Sequence, residues 1–255
     1  MTKRFLAPLL GLALSIPAIA SAAPITFTGS NGSLAASASF EVVGGQLVVV
    51  LTNTSSGDVS VPADVLTAVF FDIGGAFSLS PFSAVLGPGS TVIYDAAPAG
   101  GVVGGEWAYG TGLVGAPNGA TQGISSSGLG GVFGQPNFPG DNLENPDALD
   151  GLQYGIVSAG DLSATGNGGI TGSGGLIDNQ VIFTLNLTGL LNLNNIQNVT
   201  FQYGTNLTEP SFRGISDCPT CVPEQLSEVP EPASLMLLGS GLLAGASRLR
   251  KRVRK

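Results

Sequence analysis

The chain has 255 residues, of which 10% are charged and 43% are hydrophobic, and this apolar content predicts a folded domain and not a disordered chain. It contains no histidine, and no lysine lies between Arg4 and Lys251, so a Ser-His-Asp or Cys-His centre, a histidine-ligated metal site and a Schiff-base lysine in the body are excluded. Sixteen acidic residues and one basic residue, Arg213, lie between Ala23 and Glu228, and this net charge of −15 argues against nucleic acid as a partner.

The first 22 residues have the three parts of a secretory signal peptide. Lys3 and Arg4 precede an apolar run, residues 5–19, and Ala20-Ser21-Ala22 then offers small residues at the spacing that a signal peptidase accepts. Two prolines inside the run, and its short length, argue against an uncleaved anchor helix. We therefore predict a signal helix, residues 1–22, that directs the chain to the secretion machinery and is then removed by signal peptidase.

The body, residues 23–215, is rich in strand signals that are separated by glycine, asparagine and serine turns. Alternating apolar residues, or runs of branched and aromatic ones, predict strands at 25–28, 38–43, 46–52, 65–73, 91–94, 106–109, 181–187 and 199–203. Gly44-Gly45 predicts a two-residue hairpin turn. Helical periodicity is absent over windows of about eleven residues, so we expect an all-β fold, an antiparallel sandwich of jelly-roll or Ig-like type. The stretch from Gly100 to Gly140 is rich in glycine and serine and is predicted to form long loops.

The densest group of acidic residues is a candidate calcium site. Its members are Asp141, Glu144, Asp147 and Asp150. Calcium takes about six to eight oxygen ligands, and this segment offers many of them. The spacing departs from the EF-hand pattern, and the alternative interpretation is a solvated acidic loop.

Two functions remain open beside a non-enzymatic one. A calcium-assisted carbohydrate-binding module would use the acidic residues to hold the ion and Trp107 or Tyr109 to stack on sugar rings. A carboxylate-dependent glycosidase needs only two acids at the right separation in space, which the sequence does not give. We expect that the protein is not an enzyme, and that it needs no cofactor other than this possible calcium ion.

Cys218 and Cys221 form a CxxC pair in a predicted acidic linker, residues 216–228. The chain has no other thiol and no histidine to complete a zinc site, and no βαβ pattern that would indicate a thioredoxin-like fold. In an exported protein a local disulfide is therefore the favoured interpretation.

The last predicted segment, residues 229–255, has a stiff start, an apolar middle and a basic end. Pro230-Glu231-Pro232 is followed by an uncharged run, residues 233–247, which as a helix would rise about 22 Å, short of the hydrocarbon core of about 30 Å. Long basic side chains can close part of that gap, so we predict a transmembrane helix with its basic end in the cytoplasm and the body outside. The basic stop consists of Arg248, Arg250, Lys251, Arg252, Arg254 and Lys255.

These three parts, in this order, resemble the PEP-CTERM sorting signal of Gram-negative bacteria, and the resemblance covers residues 229–255. It implies that exosortase, a membrane-embedded cysteine protease-transpeptidase, recognises Pro230-Glu231-Pro232 and removes the tail. It also implies a link with biofilm or exopolysaccharide production. The expected protein therefore passes through an inner-membrane intermediate to the cell surface or extracellular matrix, with exosortase, the membrane and polysaccharide as partners.

Overall fold

The computed structural model describes residues 23–133, 142–144, 151–172 and 174–217, and all of them belong to one of the two units into which the chain divides, Met1–Cys218. Nearly all the regular structure is extended. The strands are β1 Ile25–Asn31, β2 Leu34–Val43, β3 Gln46–Asn53, β4 Leu66–Ile73, β5 Phe77–Leu86, β6 Val92–Ile93, β7 Ala108–Thr111, β8 Gln122–Ser125, β9 Ile156–Val157, β10 Leu176–Asp178, β11 Gln180–Gly189, β12 Ile196–Tyr203, β13 Ser211–Arg213 and β14 Ile215–Ser216. The helical segments are α1 Gly168–Thr171 and 3₁₀ turns at Pro62–Asp64, Ala99–Gly101, Gly104–Glu106, Pro117–Gly119, Leu129–Gly131 and Leu193–Asn195.

The first sheet has six antiparallel strands in the order β14-β1-β2-β3-β11-β5. Successive side chains of a strand point to opposite faces, so the alternating sequences of these strands bury one face. Phe40 in β2, Val49 in β3 and Phe183 in β11 are fully buried, whereas the residues between them are partly exposed. The period-two alternation therefore identified the core side of this sheet correctly.

The turn between β2 and β3 is the one that Gly44-Gly45 predicts. Both glycines have positive φ, 58° and 82°, as a type I′ hairpin turn requires of its two central residues. Val43 and Gln46 pair directly across the turn, which fixes the register of the two strands.

The second sheet has eight strands and is mixed. Its main order is β13-β12-β4-β9-β10-β6, with β8 paired to β4 and β7 paired to β8. β9 and β10 run parallel and the other pairs are antiparallel. β4 is buried on both faces, which explains its continuous apolar sequence: Phe71 packs towards the first sheet and Phe70 packs against Phe133 on the other side.

The two sheets bury a common core. The rings of Phe40 and Phe71, one from each sheet, lie 5.3 Å apart at an edge-to-face angle of 76°. Trp107, just before β7, packs on Phe183 with ring centroids 4.8 Å apart. The buried Tyr203 of β12 donates its hydroxyl to the carbonyl oxygen of Ala35 in β2 at 2.8 Å, which adds a hydrogen bond between the sheets.

The expectation of long loops from Gly100 to Gly140 is wrong in part, because β7 and β8 form a strand pair within it. Their glycines reflect close packing: a Cβ at Gly110 would lie 2.7 Å from Leu113, and one at Gly123 would lie 2.8 Å from Phe70. The strand predicted at 106–109 is accordingly displaced towards the C-terminus, to Ala108–Thr111.

The predicted signal helix and the C-terminal sorting segment lie outside the described residues, and so does the linker from residue 218 onward, with its cysteine pair. The first two residues of the predicted linker are described: Ser216 belongs to β14, and Asp217 hydrogen-bonds to Thr26. Among the residues that the structure describes, no helix is both long enough and apolar enough to cross a membrane. The transmembrane helix predicted for the tail therefore stays a prediction.

Candidate functional site

The two ends of the described body lie side by side at one edge of the six-stranded sheet. β14 pairs with β1 through Phe27↔Ser216 and Thr28↔Ile215. The Asp217 amide donates to the Thr26 carbonyl oxygen at 2.9 Å, and the Thr26 amide donates to Asp217 Oδ1 at 3.1 Å. The first strand after the predicted signal peptide and the last strand before the predicted tail are therefore neighbours at this edge.

The predicted calcium ligands fall mostly outside the described residues, since Glu144 alone of the four lies within them. Glu144 Oε2 accepts a hydrogen bond of 3.4 Å from the Ala84 amide of β5, and its side chain lies over Gly104, where a Cβ would come within 2.6 Å of it. Within the described ranges no three acidic, cysteine or histidine side chains converge. The calcium site remains a prediction.

The two aromatic residues proposed for sugar stacking are core residues, so that part of the carbohydrate-binding interpretation is wrong. Trp107 is fully buried against Phe183. Tyr109 is 4% exposed, and its hydroxyl donates to Gln122 Oε1 at 2.8 Å. Burial raises the pKa of the Tyr109 phenol, which therefore stays neutral at physiological pH. Tyr109 contributes to the wall of a cleft, but with 4% of its surface exposed its ring has no face open for stacking on a sugar.

A cleft of about 550 Å³ runs between β5 and the segment after β7. Its walls include Leu79, Pro81, Leu113, Val114 and Phe133, and none of the described residues that line it is charged. The described part of the cleft can therefore hold an uncharged group, and Glu144, the described member of the predicted calcium site, does not line it.

An aspartate pair that the sequence analysis missed joins two loops of the body. Gly57-Asp58-Val59 lies between β3 and β4, and Gly160-Asp161-Leu162 lies between β9 and β10. The Leu162 amide donates to Asp58 Oδ1 at 2.8 Å, and the Val59 amide donates to Asp161 Oδ1 at 2.9 Å. Each aspartate thus binds the residue that follows the other. The signal in the sequence is a Gly-Asp-apolar triplet that occurs in both loops. Asp58 of the first triplet and Leu162 of the second are 104 residues apart in the chain.

The environment of the aspartate pair separates the pKa values of its two carboxyl groups. Hydrogen bonds from the Thr165 hydroxyl and the Leu162 amide hold the pKa of Asp58 below its ordinary value. Burial raises the pKa of Asp161, and the neighbouring Asp58 raises it further.

Other acidic residues of the body cap loops in the same way. Asp72 accepts 2.7 Å hydrogen bonds from the Thr121 amide and hydroxyl, and another of 2.7 Å from the Asn198 side chain. Glu209 accepts from the amides of Thr205 and Asn206 at 2.7 and 2.8 Å. Asp72 therefore holds the loop before β8 to β4, and Glu209 closes the loop between β12 and β13.

The comparisons with known proteins place a family motif on the C-terminal segment. Residues 228–252 match the family model described as the PEP-CTERM protein-sorting motif. No curated protein and no solved structure matches the chain. The motif confirms the resemblance of the tail to this sorting signal, and it marks an exported protein that exosortase processes at the membrane for display at the cell surface. The chain is therefore the carrier of a PEP-CTERM protein-sorting motif and a substrate for exosortase.

Proposed function

We propose that this protein is a non-enzymatic component of the surface or extracellular matrix of a Gram-negative bacterium, associated with exopolysaccharide in a biofilm. The observation that carries the proposal is the sorting motif at residues 228–252, which follows a folded β-rich body. In this proposal the body is a β-sandwich of jelly-roll or Ig-like type, which the shared core of the two sheets supports.

The use of acidic residues in the body supports a structural role over catalysis. Asp72, Glu209 and the aspartate pair all accept hydrogen bonds from backbone amides of loops. The secretion machinery and signal peptidase would deliver the body across the inner membrane, and exosortase would then remove the tail. The adjacent ends of the body at Thr26 and Asp217 fit this route, because segments that extend from either end can be removed without breaking the pairing of β14 with β1.

The proposal is tested by replacing Pro230-Glu231-Pro232 with three alanines in a strain that has exosortase. We expect the normal chain in the surface and exopolysaccharide fractions, and the variant in the inner membrane with its tail intact. Ser227→Ala, just before the motif, is the matched control and should sort normally. A variant that reached the exopolysaccharide fraction as efficiently as the control would contradict the sorting role, and a normal chain found only in the free medium would contradict the matrix role.

A further inference from the structure

The chain contains three Asn-Gly sequences, and the structure describes all of them: Asn31-Gly32, Asn118-Gly119 and Asn167-Gly168. In such a sequence the amide nitrogen of the glycine can attack the side-chain carbonyl carbon of the asparagine, because glycine has no Cβ to hinder the approach. The reaction needs an asparagine side chain that is free to turn and a glycine amide that no acceptor holds. These two requirements distinguish the three sites.

Asn31 meets both requirements at the tip of the hairpin that joins β1 to β2. It pairs with Leu34, and Gly32 and Ser33 form the two-residue turn between them. Gly32 has a φ of 63°, as glycine does at the first central position of a type II′ turn. Asn31, Gly32 and Ser33 are exposed, and a Cβ at Gly32 would meet nothing within 4 Å. Among the described residues, none hydrogen-bonds to the Asn31 side chain or accepts from the Gly32 amide.

Hydrogen bonds hold the other two asparagines in place. Asn118 Nδ2 donates to the Thr200 hydroxyl at 2.9 Å, and the glycine that follows Asn118 donates its amide to the Ala116 carbonyl oxygen at 3.1 Å. Asn167 is the N-cap of α1, and its Oδ1 accepts from the Gly169 amide at 2.8 Å. An attack at either site must therefore first break at least one hydrogen bond.

We propose that Asn31 is a site of spontaneous deamidation, at which the folded body reacts with water and gains one carboxylate. A bond forms between the Gly32 nitrogen and Asn31 Cγ, the Cγ–Nδ2 bond breaks, and ammonia leaves with the proton of the Gly32 amide. Water then opens the resulting succinimide ring. Opening at Cγ gives aspartate, and opening at the backbone carbonyl carbon of residue 31 gives isoaspartate. Nothing is oxidised or reduced, and the proposal does not depend on the sorting motif.

The two products change the hairpin in different ways. In isoaspartate the backbone runs through the former side chain and gains a methylene group, so residue 31 loses its pairing with Leu34 in the register of the hairpin. Both products add a negative charge to residues 23–228, whose net charge is already −15. The modification therefore accumulates with the age of the protein, because the reaction needs water and no enzyme.

The proposal is tested by incubating the full chain in detergent in mildly alkaline solution, which favours loss of the Gly32 amide proton. Pepsin digestion at acid pH, where the reaction is slow, separates the three sites. Mass spectrometry then detects the gain of about 1 Da that follows when OH replaces NH₂. We expect Asn31 to convert at least about tenfold faster than Asn118 or Asn167, which is the factor in rate that one or two hydrogen bonds give.

Two controls separate the effect of the fold from that of the sequence. In denaturant the three sites should convert within about threefold of one another, because the hydrogen bonds at Asn118 and Asn167 are lost. Asn31→Gln, at an exposed position, should show no gain of mass at residue 31 and unchanged rates at the other two sites, since glutamine would have to form a larger ring. A folded chain with no conversion at Asn31 or with a smaller ratio, or a ratio that stays tenfold in denaturant, would overturn the proposal.

Discussion

At the scale of single residues, the acidic side chains of the body are best understood as hydrogen-bond acceptors for loop backbone. Asp72 shows this most clearly, because Thr121 and Asn198 together give its carboxylate three donors. Burial disfavours the charged form of Asp72, but these hydrogen bonds outweigh burial, so its pKa lies below the ordinary value. Such a group contributes to folding stability only while it is ionised.

Asp72→Asn should therefore lower the free energy of unfolding by about 1 to 2 kcal/mol at neutral pH, since an amide nitrogen cannot accept from Asn198. The difference from the normal chain should vanish as the pH falls through the lowered pKa of Asp72, where the carboxylate is protonated. Denaturant unfolding at several pH values measures this. Asp95→Asn, at an exposed position, should change stability by less than about 0.5 kcal/mol, and a pH-independent loss for Asp72→Asn would contradict the account.

A buried amide organises the loop between β12 and β13. Gln202 is fully buried, and its Nε2 donates to the carbonyl oxygens of Tyr203 at 2.7 Å, Asn206 at 3.1 Å and Glu209 at 3.3 Å. A group that faces several carbonyl oxygens must be a donor. The sequence alone does not distinguish this glutamine from an exposed one, because the contact depends on how the loop folds back.

Gln202→Glu should destabilise the fold by at least about 2 kcal/mol, because a carboxylate would face those carbonyl oxygens in a buried site. Gln197→Glu is the matched control, since Gln197 is exposed on the same strand and should tolerate the change within about 0.5 kcal/mol. Both values come from denaturant unfolding at neutral pH. Equal stabilities for the two variants would show that Gln202 does not occupy this site.

At the scale of elements, the sequence predicts most of the long strands but misses β5 and most of the short strands. β3 and β11 alternate cleanly and are found where the pattern puts them. β5, Phe77–Leu86, is not predicted because its three serines reduce its apolar content and Pro81 interrupts it. Proline is tolerated there because β5 lies at the edge of its sheet. β9 and β14 have two residues each, too few for any periodicity, and their pairing depends on distant strands.

The aspartate pair was unpredictable for a related reason. Nothing local to Asp58 indicates that the loop after β9 packs beside it, because the contact arises from the parallel pairing of β9 and β10 and their place next to β4. The hairpin at Gly44-Gly45 is the opposite case, since two adjacent residues carry the whole signal. Local turn chemistry is therefore predictable here, whereas sites built from distant loops are not.

The hairpin gives a test at this scale. Gly44 has φ of 58° and a Cβ there would meet nothing within 4 Å, so any cost of substitution comes from the backbone and not from a clash. Gly44→Ala should cost about 1 to 2 kcal/mol of folding stability, whereas Gly44→Asn should cost much less, because asparagine adopts the left-handed conformation more readily. Thermal melting compares the two, and an alanine variant as stable as the asparagine variant would contradict the turn type.

At the scale of the whole molecule, the sorting motif and the position of the two ends of the body are both compatible with the proposed route to the cell surface. The motif at residues 228–252 assigns the tail to sorting. The pairing of β14 with β1 brings the end of the body beside its beginning, so the predicted signal peptide and the predicted membrane segment attach to one edge of the fold. A folded body can therefore stay intact while both attachments are removed.

The most direct test of this account is the mass of the protein displayed outside the cell. Mass spectrometry of the surface-exposed protein should find a chain that begins near Ala23 and lacks everything from Arg248 onward, because exosortase removes the tail at the sorting motif. Peptides that include Lys255 on outward-displayed, mature protein would contradict the central claim that this segment is a sorting signal.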